Sequence, residues 1–501
     1  MFNWIEKWFR TGFGLGVAAG IVTSVAGADA PPRVDWIFPA GGPVGSALTV
    51  RVGIDPAPAP LAVWCEDSGV RFGPVGTNGE CAVVLATNAV PGAHWLRFFN
   101  TQGASAPRLF VAGDTLEIVE DETTNAPPPA IQEWFPVVLN GRLREPTKPD
   151  VWRIRTGTNE IVHARLDTVG LDLPLRASLA MIDESGETLG SSTQPPGEDA
   201  SLSVAVHRPG IWRVEVRPAP TAISTNASEP ALDAVYRLRI HKEFAATPND
   251  SLDALSVQAG PRIQRSVAKT PWITFPSELH GWIDPAGDED TFSFHARFGE
   301  TYFFRVRAGS IGSPLPAEVR VLDDRGTVLA SSSGSDPELS WTASGDGLFV
   351  IGVTGEGGRG GFDCYYRLEL GAPQPHLDVE FSPHTVVLEA GNAAEMRLRI
   401  RRPAGFDPLL LLIVEGLPAG VTALTTPVPP HVDDVRFSLV AGPDAPAANQ
   451  PGRIVVRTFD LVPLMTPAQA AVTGRHTAPG GLLRNTTEHF WLTVRPKPAA
   501  E

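Results

Sequence analysis

One acidic cluster in this chain has the residue types and spacing to do chemistry: Asp284, Asp288, Glu289 and Asp290. Alternate residues of an extended strand share a face, so Asp288 and Asp290 project together. Hard carboxylate oxygens at that spacing suit Ca²⁺, which takes six to eight oxygen ligands. The competing role for Asp290, which recurs as Asp150, is to accept hydrogen bonds from turn amides. The chain holds 3 Cys and 11 His. Cys65 and Cys81 lie 16 residues apart and, in an oxidising compartment, would staple one hairpin or neighbouring strands. No C-x-x-C zinc spacing occurs, and no two histidines stand at helical metal spacing. The catalytic set is empty: there is no G-x-S-x-G elbow, Walker A loop, H-E-x-x-H, EF-hand loop or dinucleotide fingerprint. Glycosidase-type carboxylate pairs come from distant parts of a chain, but most acids here sit in Gly/Pro/Ser turns, where capping or solvation accounts for them.

The elements that must position these residues are strands. The 501 residues include 49 Gly and 48 Pro, well above ordinary usage, together with 12 Trp and 23 Phe. That many aromatic residues can bury a core, which argues against disorder. Self-comparison exposes a repeat. Phe135-Pro136, Gly141, Asp150 and Trp152 realign without a gap on Phe275-Pro276, Gly281, Asp290 and Phe292. The hairpin Asp183–Gly186 falls on Asp323–Gly326, Gly210–Val216 on Gly347–Val353, and Tyr236-Arg-Leu238 on Tyr366-Arg-Leu368. Each repeat alternates apolar and polar residues, as half-buried antiparallel strands do. Within this alignment His280 and His295 fall on Asn140 and Arg155, which marks both histidines as surface residues. Cys364 falls on Ala234, a small packing position.

The order of these pieces resembles the bacterial pre-peptidase C-terminal domain, a jelly-roll module. The second repeat carries the pattern most fully: Gly281-Trp-Ile283, Asp288-Glu-Asp290-Thr-Phe292-Ser-Phe294, Leu322-Asp323 to Gly326, Gly347-Leu-Phe349 and Tyr366-Arg-Leu368. The first has Lys148 in place of Asp288. The resemblance implies a secreted setting, since such domains usually accompany exported hydrolases, and some members bind calcium near the acidic strand. Flanking segments, with Phe38-Pro-Ala-Gly-Gly42 before and Val414-Glu-Gly-Leu-Pro-Ala-Gly-Val421 after, resemble immunoglobulin-like modules. The expected architecture is all-β, a four-module chain of β-sandwiches or jelly rolls. It comprises a signal peptide at 1–28, an immunoglobulin-like domain at 29–125, the repeats at 126–242 and 263–371 joined by a linker at 243–262, and an immunoglobulin-like domain at 372–501. The insertion Pro463 to Leu483 is expected to be an exposed loop.

The formal charge of −15 and the lack of a basic, aromatic-interleaved patch exclude nucleic acid as a partner class. Lys7, Arg10, the uncharged run Gly12 to Gly27 and Ala26-Gly-Ala28 predict a cleaved export signal. No later apolar run is long enough for a transmembrane helix. The mature protein is therefore expected outside the cytoplasm: extracellular, periplasmic or on the cell surface. Its expected role is that of a non-enzymatic binding or spacer protein, with polysaccharide, cell wall or extracellular protein as partners. The alternative is an accessory or diverged subunit of a secreted hydrolase. Trp134, Trp272 and Trp282 are candidate ligand-facing aromatics, against a competing role in core packing.

Overall fold

The computed structural model describes residues 30–501 apart from 56–60, 122–128, 132–134, 145–147, 174, 194–198, 219–233, 245–272, 274, 276, 285, 310–312, 362–363, 372–376, 403–405, 460–463, 475–481 and 498–501. The expected export signal and most of the expected linker lie outside the described residues, as do Trp134 and Trp272. The described chain is all-β, with helical turns only at Val169–Leu171 and Glu356–Gly358. Among the described residues no helix is long and apolar enough to cross a membrane.

Four two-sheet modules follow one another. In the second repeat one sheet runs Ser277–Trp282, Tyr365–Gly371, Thr301–Arg307 and Glu338–Thr342. Its facing sheet runs Glu289–Ala296, Gly347–Gly355, Ala317–Leu322 and Val328–Gly334. The first repeat has the same order: Val137–Leu143, Ala234–Phe244, Glu160–Asp167, Ser201–Val206, over Asp150–Thr156, Gly210–Pro218, Ala177–Ile182, Thr188–Thr193. Its sheet gains one member, Leu116–Val119, which pairs parallel to Val137–Leu143. That strand lies within the expected 29–125 segment but pairs in the sheet of the first repeat.

The repeated motifs have repeated physical jobs. Asp183 Oδ1 accepts the N–H groups of Ser185 and Glu187 at 2.9 Å each. Asp323 Oδ1 does the same for Arg325 and Thr327, at 2.9 and 2.7 Å. Gly186 and Gly326 close these hairpins at φ 91° and 80°, a region costly for side chains. Deeper in, Tyr236 donates its hydroxyl hydrogen to Asp150 at 2.9 Å, and Tyr366 donates to Asp290 at 2.7 Å. Each ring lies beneath a glycine: a Cβ on Gly141 would stand 2.1 Å from the Tyr236 oxygen, and one on Gly281 2.5 Å from that of Tyr366. Gly, Asp and Tyr thus form one unit in each repeat, a buried polar tether inside an aromatic core. Trp152 extends it in the first repeat, donating from Nε1 to Tyr236 at 2.9 Å.

Candidate functional site

The outer face of the first repeat's sheet is covered. A separate apolar cluster draws Phe38, Trp95, Leu109 and Val111 from the N-terminal module and Leu171, Leu173 and Val235 from the first repeat. Val472 and Leu483 join them from the C-terminal module. The segment expected to be an exposed loop therefore contributes two buried anchors, because the junction offers apolar surface that a solvated loop would lack. Leu483 also donates its N–H to Gly170 O at 2.9 Å. The turn it meets is fixed by Asp199, which accepts N–H bonds from Thr168, Val169 and Gly170.

Buried charge pairs pin the same junction. Arg108 donates to Asp172 at 2.6 Å, with both side chains under a tenth exposed. Arg237 pairs with Glu117, each about 1% exposed, and lies 3.7 Å from Asp167. Glu117 also accepts from Asn140 at 2.9 Å. Arg142 stacks its guanidinium 4.5 Å above Trp36. On the other side, the N-terminal module meets the C-terminal module directly. Arg97 donates to Thr385 Oγ1 and to His384 Nδ1, both at 3.0 Å. Burial and the charge of Arg108 lower Arg97 to about 10. An arginine donates only, so His384 Nδ1 is the acceptor and the ring is neutral. Burial and the Arg97 charge hold His384 below its ordinary value. Glu66 takes bonds from Arg484 and from the Trp95 N–H. Burial pushes Glu66 up, but His94, Arg484 and the Trp95 amide outweigh it and hold the carboxyl low. Trp491 packs its ring 4.9 Å from Phe99. A cavity of about 80 Å³ remains where the three modules meet, lined by Trp95, Arg108, Asp172, His384, Val472 and Leu482 among others.

No described residue of another module covers the corresponding face of the second repeat. At matched positions Glu278, His280 and Trp282 replace Val138, Asn140 and Arg142, and Tyr365 replaces Val235, while Arg237 recurs as Arg367. Trp282 is 37% exposed. Glu278 and His280 are exposed and pair at 3.1 Å. Arg305, Arg307 and Arg367 alternate with Glu338 and Glu369 across the strands as a ladder of ion pairs. Its apolar cluster contains only residues of this repeat.

The carboxylates proposed for calcium are used otherwise. Asp290 is fully buried on the Tyr366 hydroxyl, and Asp288 accepts from the Asp284 N–H at 3.3 Å. Among the described residues no three His, Cys, Asp or Glu side chains gather in a metal-holding group. Cys65 and Cys81 are free thiols. They sit on opposite sheets of the N-terminal module; Cys81 donates to Gly73 O at 2.9 Å, and burial raises both thiols to about 12. The expected pairing is thus not made in this structure. Cys364 is a buried core residue, as its alignment with Ala234 implied. Sequence reasoning missed Glu117, Arg237, Arg97, Glu66 and Arg484, whose partners lie far away in the chain. One signal was present: at matched positions the inward residues stay apolar, while several outward ones change character, with Asp167 against Arg307 and Val235 against Tyr365.

No family model and no curated protein matches this chain. Among solved structures it is similar to the pre-peptidase C-terminal domain of a Bacillus anthracis collagenase, at 13% identity and TM-score 0.18, covering 20% of this chain and 94% of that one. The N-terminal four immunoglobulin domains of Dscam1 isoform 8.4 give 10% identity and TM-score 0.20 over 94% of this chain and 100% of that one. The M60 catalytic domain with CBM51 domains of Clostridium perfringens ZmpB gives 9% and 0.16, covering 95% of this chain and 40% of that one. Likenesses this weak bear on neither function nor ligand.

Proposed function

We propose that this is an exported, non-enzymatic binding protein in which three modules form a fused block and the second repeat is the presented module. Its partner is polysaccharide, cell wall or protein at the cell envelope or outside the cell. The observation that carries this reading is the sheet face of the second repeat, uncovered among the described residues, set against the buried face of its twin. Trp282 and Tyr365 pair across strands at one end of that face, beside the His280–Glu278 pair. An aromatic pair beside hydrogen-bonding groups is a usual composition for a contact surface. Pull-down of the mature chain on purified cell walls and polysaccharides tests it. Capture weakened by Trp282→Ala supports the reading, whereas no capture on any of them removes polysaccharide and cell wall as partners.

The runner-up, a hydrolase-associated subunit, draws on the junction cavity, where His384 and Asp172 both line the wall. Against it, Asp172 is engaged by Arg108 and His384 Nδ1 by Arg97, so neither is poised to activate water. Peptidase activity lost on His384→Asn would restore that alternative.

A further inference from the structure

The first repeat shows what a strand added to this edge looks like. Leu116–Val119 runs parallel to Val137–Leu143, placing Glu117 beside Val138 and Val119 beside Asn140. Glu117 reaches across to Asn140 and Arg237, which are register partners on neighbouring strands. Ile118 packs inward against the core, and Leu139 beneath it is fully buried. The backbone continues the ladder: Glu120 donates to Asn140 O at 2.9 Å.

In the second repeat the matching strand, Ser277–Trp282, pairs only with Tyr365–Gly371 among the described residues. Leu279, which matches the fully buried Leu139, is only half-buried there. His280 and Arg367 are register partners, as Asn140 and Arg237 are. Arg367 Nε is buried and has no hydrogen-bond partner among the described residues. Unpaired strand edges are templates for another chain. Backbone bonds to such an edge give affinity, and alternate side chains give specificity.

We propose that the edge of Ser277–Trp282 is a strand-addition site for an extended peptide segment of a partner protein, laid parallel to it. The segment carries apolar side chains that close over Leu279 and, between them, a carboxylate that meets Arg367 and His280. The charge on the face sets a specific condition. Glu278 lies 3.9 Å from Arg367 and opposes an incoming carboxylate, so its removal tightens binding. This proposal rests on the presented-module reading and narrows its partner to protein.

The test uses the full chain and a fluorescent peptide copying residues 115–121, Thr-Leu-Glu-Ile-Val-Glu-Asp. Saturable binding is expected. It should weaken about tenfold in Arg367→Glu and recover when the first Glu of the peptide becomes Lys, the charge swap excluding a folding artefact. Glu278→Gln should strengthen it. Absence of saturable binding, or indifference to the Arg367 swap, overturns the proposal. So does binding that appears only after deletion of 251–262 or after dissociation of a homodimer, since the edge is then held by the chain itself. Polymer capture with no peptide binding sinks this inference alone, and peptide binding without polymer capture leaves it standing.

Discussion

Asp167 and Arg307 occupy the same place in the same strand of two copies of one fold. The first is fully buried, bonded to Arg239 at 2.7 Å and 3.7 Å from Arg237, and the second is a third exposed in a surface ladder. The inward positions around them stay apolar, though Val162 and Ala164 become Tyr302 and Phe304, and the Gly–Asp–Tyr tether is kept. Of the outward residues Arg165 and Arg237 recur as Arg305 and Arg367, while Val138, Arg142, Asp167 and Val235 are exchanged. A conserved core therefore defines the module, and the outer sheet face decides whether it is built into the block or offered to a partner.

The sharpest way to break this contrast is to remove the matched arginines. Arg237→Ala leaves buried Glu117 without its arginine, while Asp167 keeps Arg239 at 2.7 Å, and should cost about 3–5 kcal/mol of unfolding free energy in denaturant titration. Arg367→Ala, in a solvent-reached ladder, should cost within about 1 kcal/mol. Equal losses would mean that both faces are equally built in. The aromatic residues sharpen the same point: Trp95→Ala at the junction should cost roughly 3–5 kcal/mol, and Trp282→Ala about 0.5 kcal/mol. Where the repeats agree, matched changes should agree. Gly141→Ala and Gly281→Ala each drive a methyl onto a buried tyrosine, at about 1–3 kcal/mol apiece. Clearly unequal effects would show that the tether is not a shared device.

Smaller effects separate block from module by pH. His384 has a folded pKa below its unfolded value, so its contribution is present above about pH 6.5 and lost as pH falls. The block's melting temperature should therefore drop between pH 7.5 and 5.5. Burial holds His489 low as well, so His384→Asn should flatten part of the profile, and an unaltered profile would locate the titration elsewhere. Smallest of all, millimolar Ca²⁺ should leave the melting of the full chain unchanged. A clear rise would return Asp288 and Asp290 to a metal site.

The fold was legible for a physical reason. Gly141 and Gly281, Asp150 and Asp290, and Tyr236 and Tyr366 recur because each tether closes within one repeat, over spans a self-alignment can detect. The junction was not legible. Arg97 and His384 meet across 287 residues, Glu66 and Arg484 across 418, and no local periodicity marks which outer face a distant module will cover. Val235 offered a hint, an outward apolar residue in the run Ala234-Val-Tyr236, where alternation calls for a polar one. The Asp288/Asp290 pair marks a second limit: strand alternation gives a shared face without saying whether that face is wet, and Asp290 is fully buried.

The contact between the N-terminal and C-terminal modules closes a chain loop, with Arg97 and Thr385 288 residues apart. Excising the second repeat, residues 263–371, would shorten that loop by over a third. Closure entropy varies so weakly with length that this changes the block's stability by only about 0.4 kcal/mol. The second repeat is thus an insert the block can carry, lose or exchange at almost no entropic penalty, so its face is free to diverge while the clasp behind it stays the same.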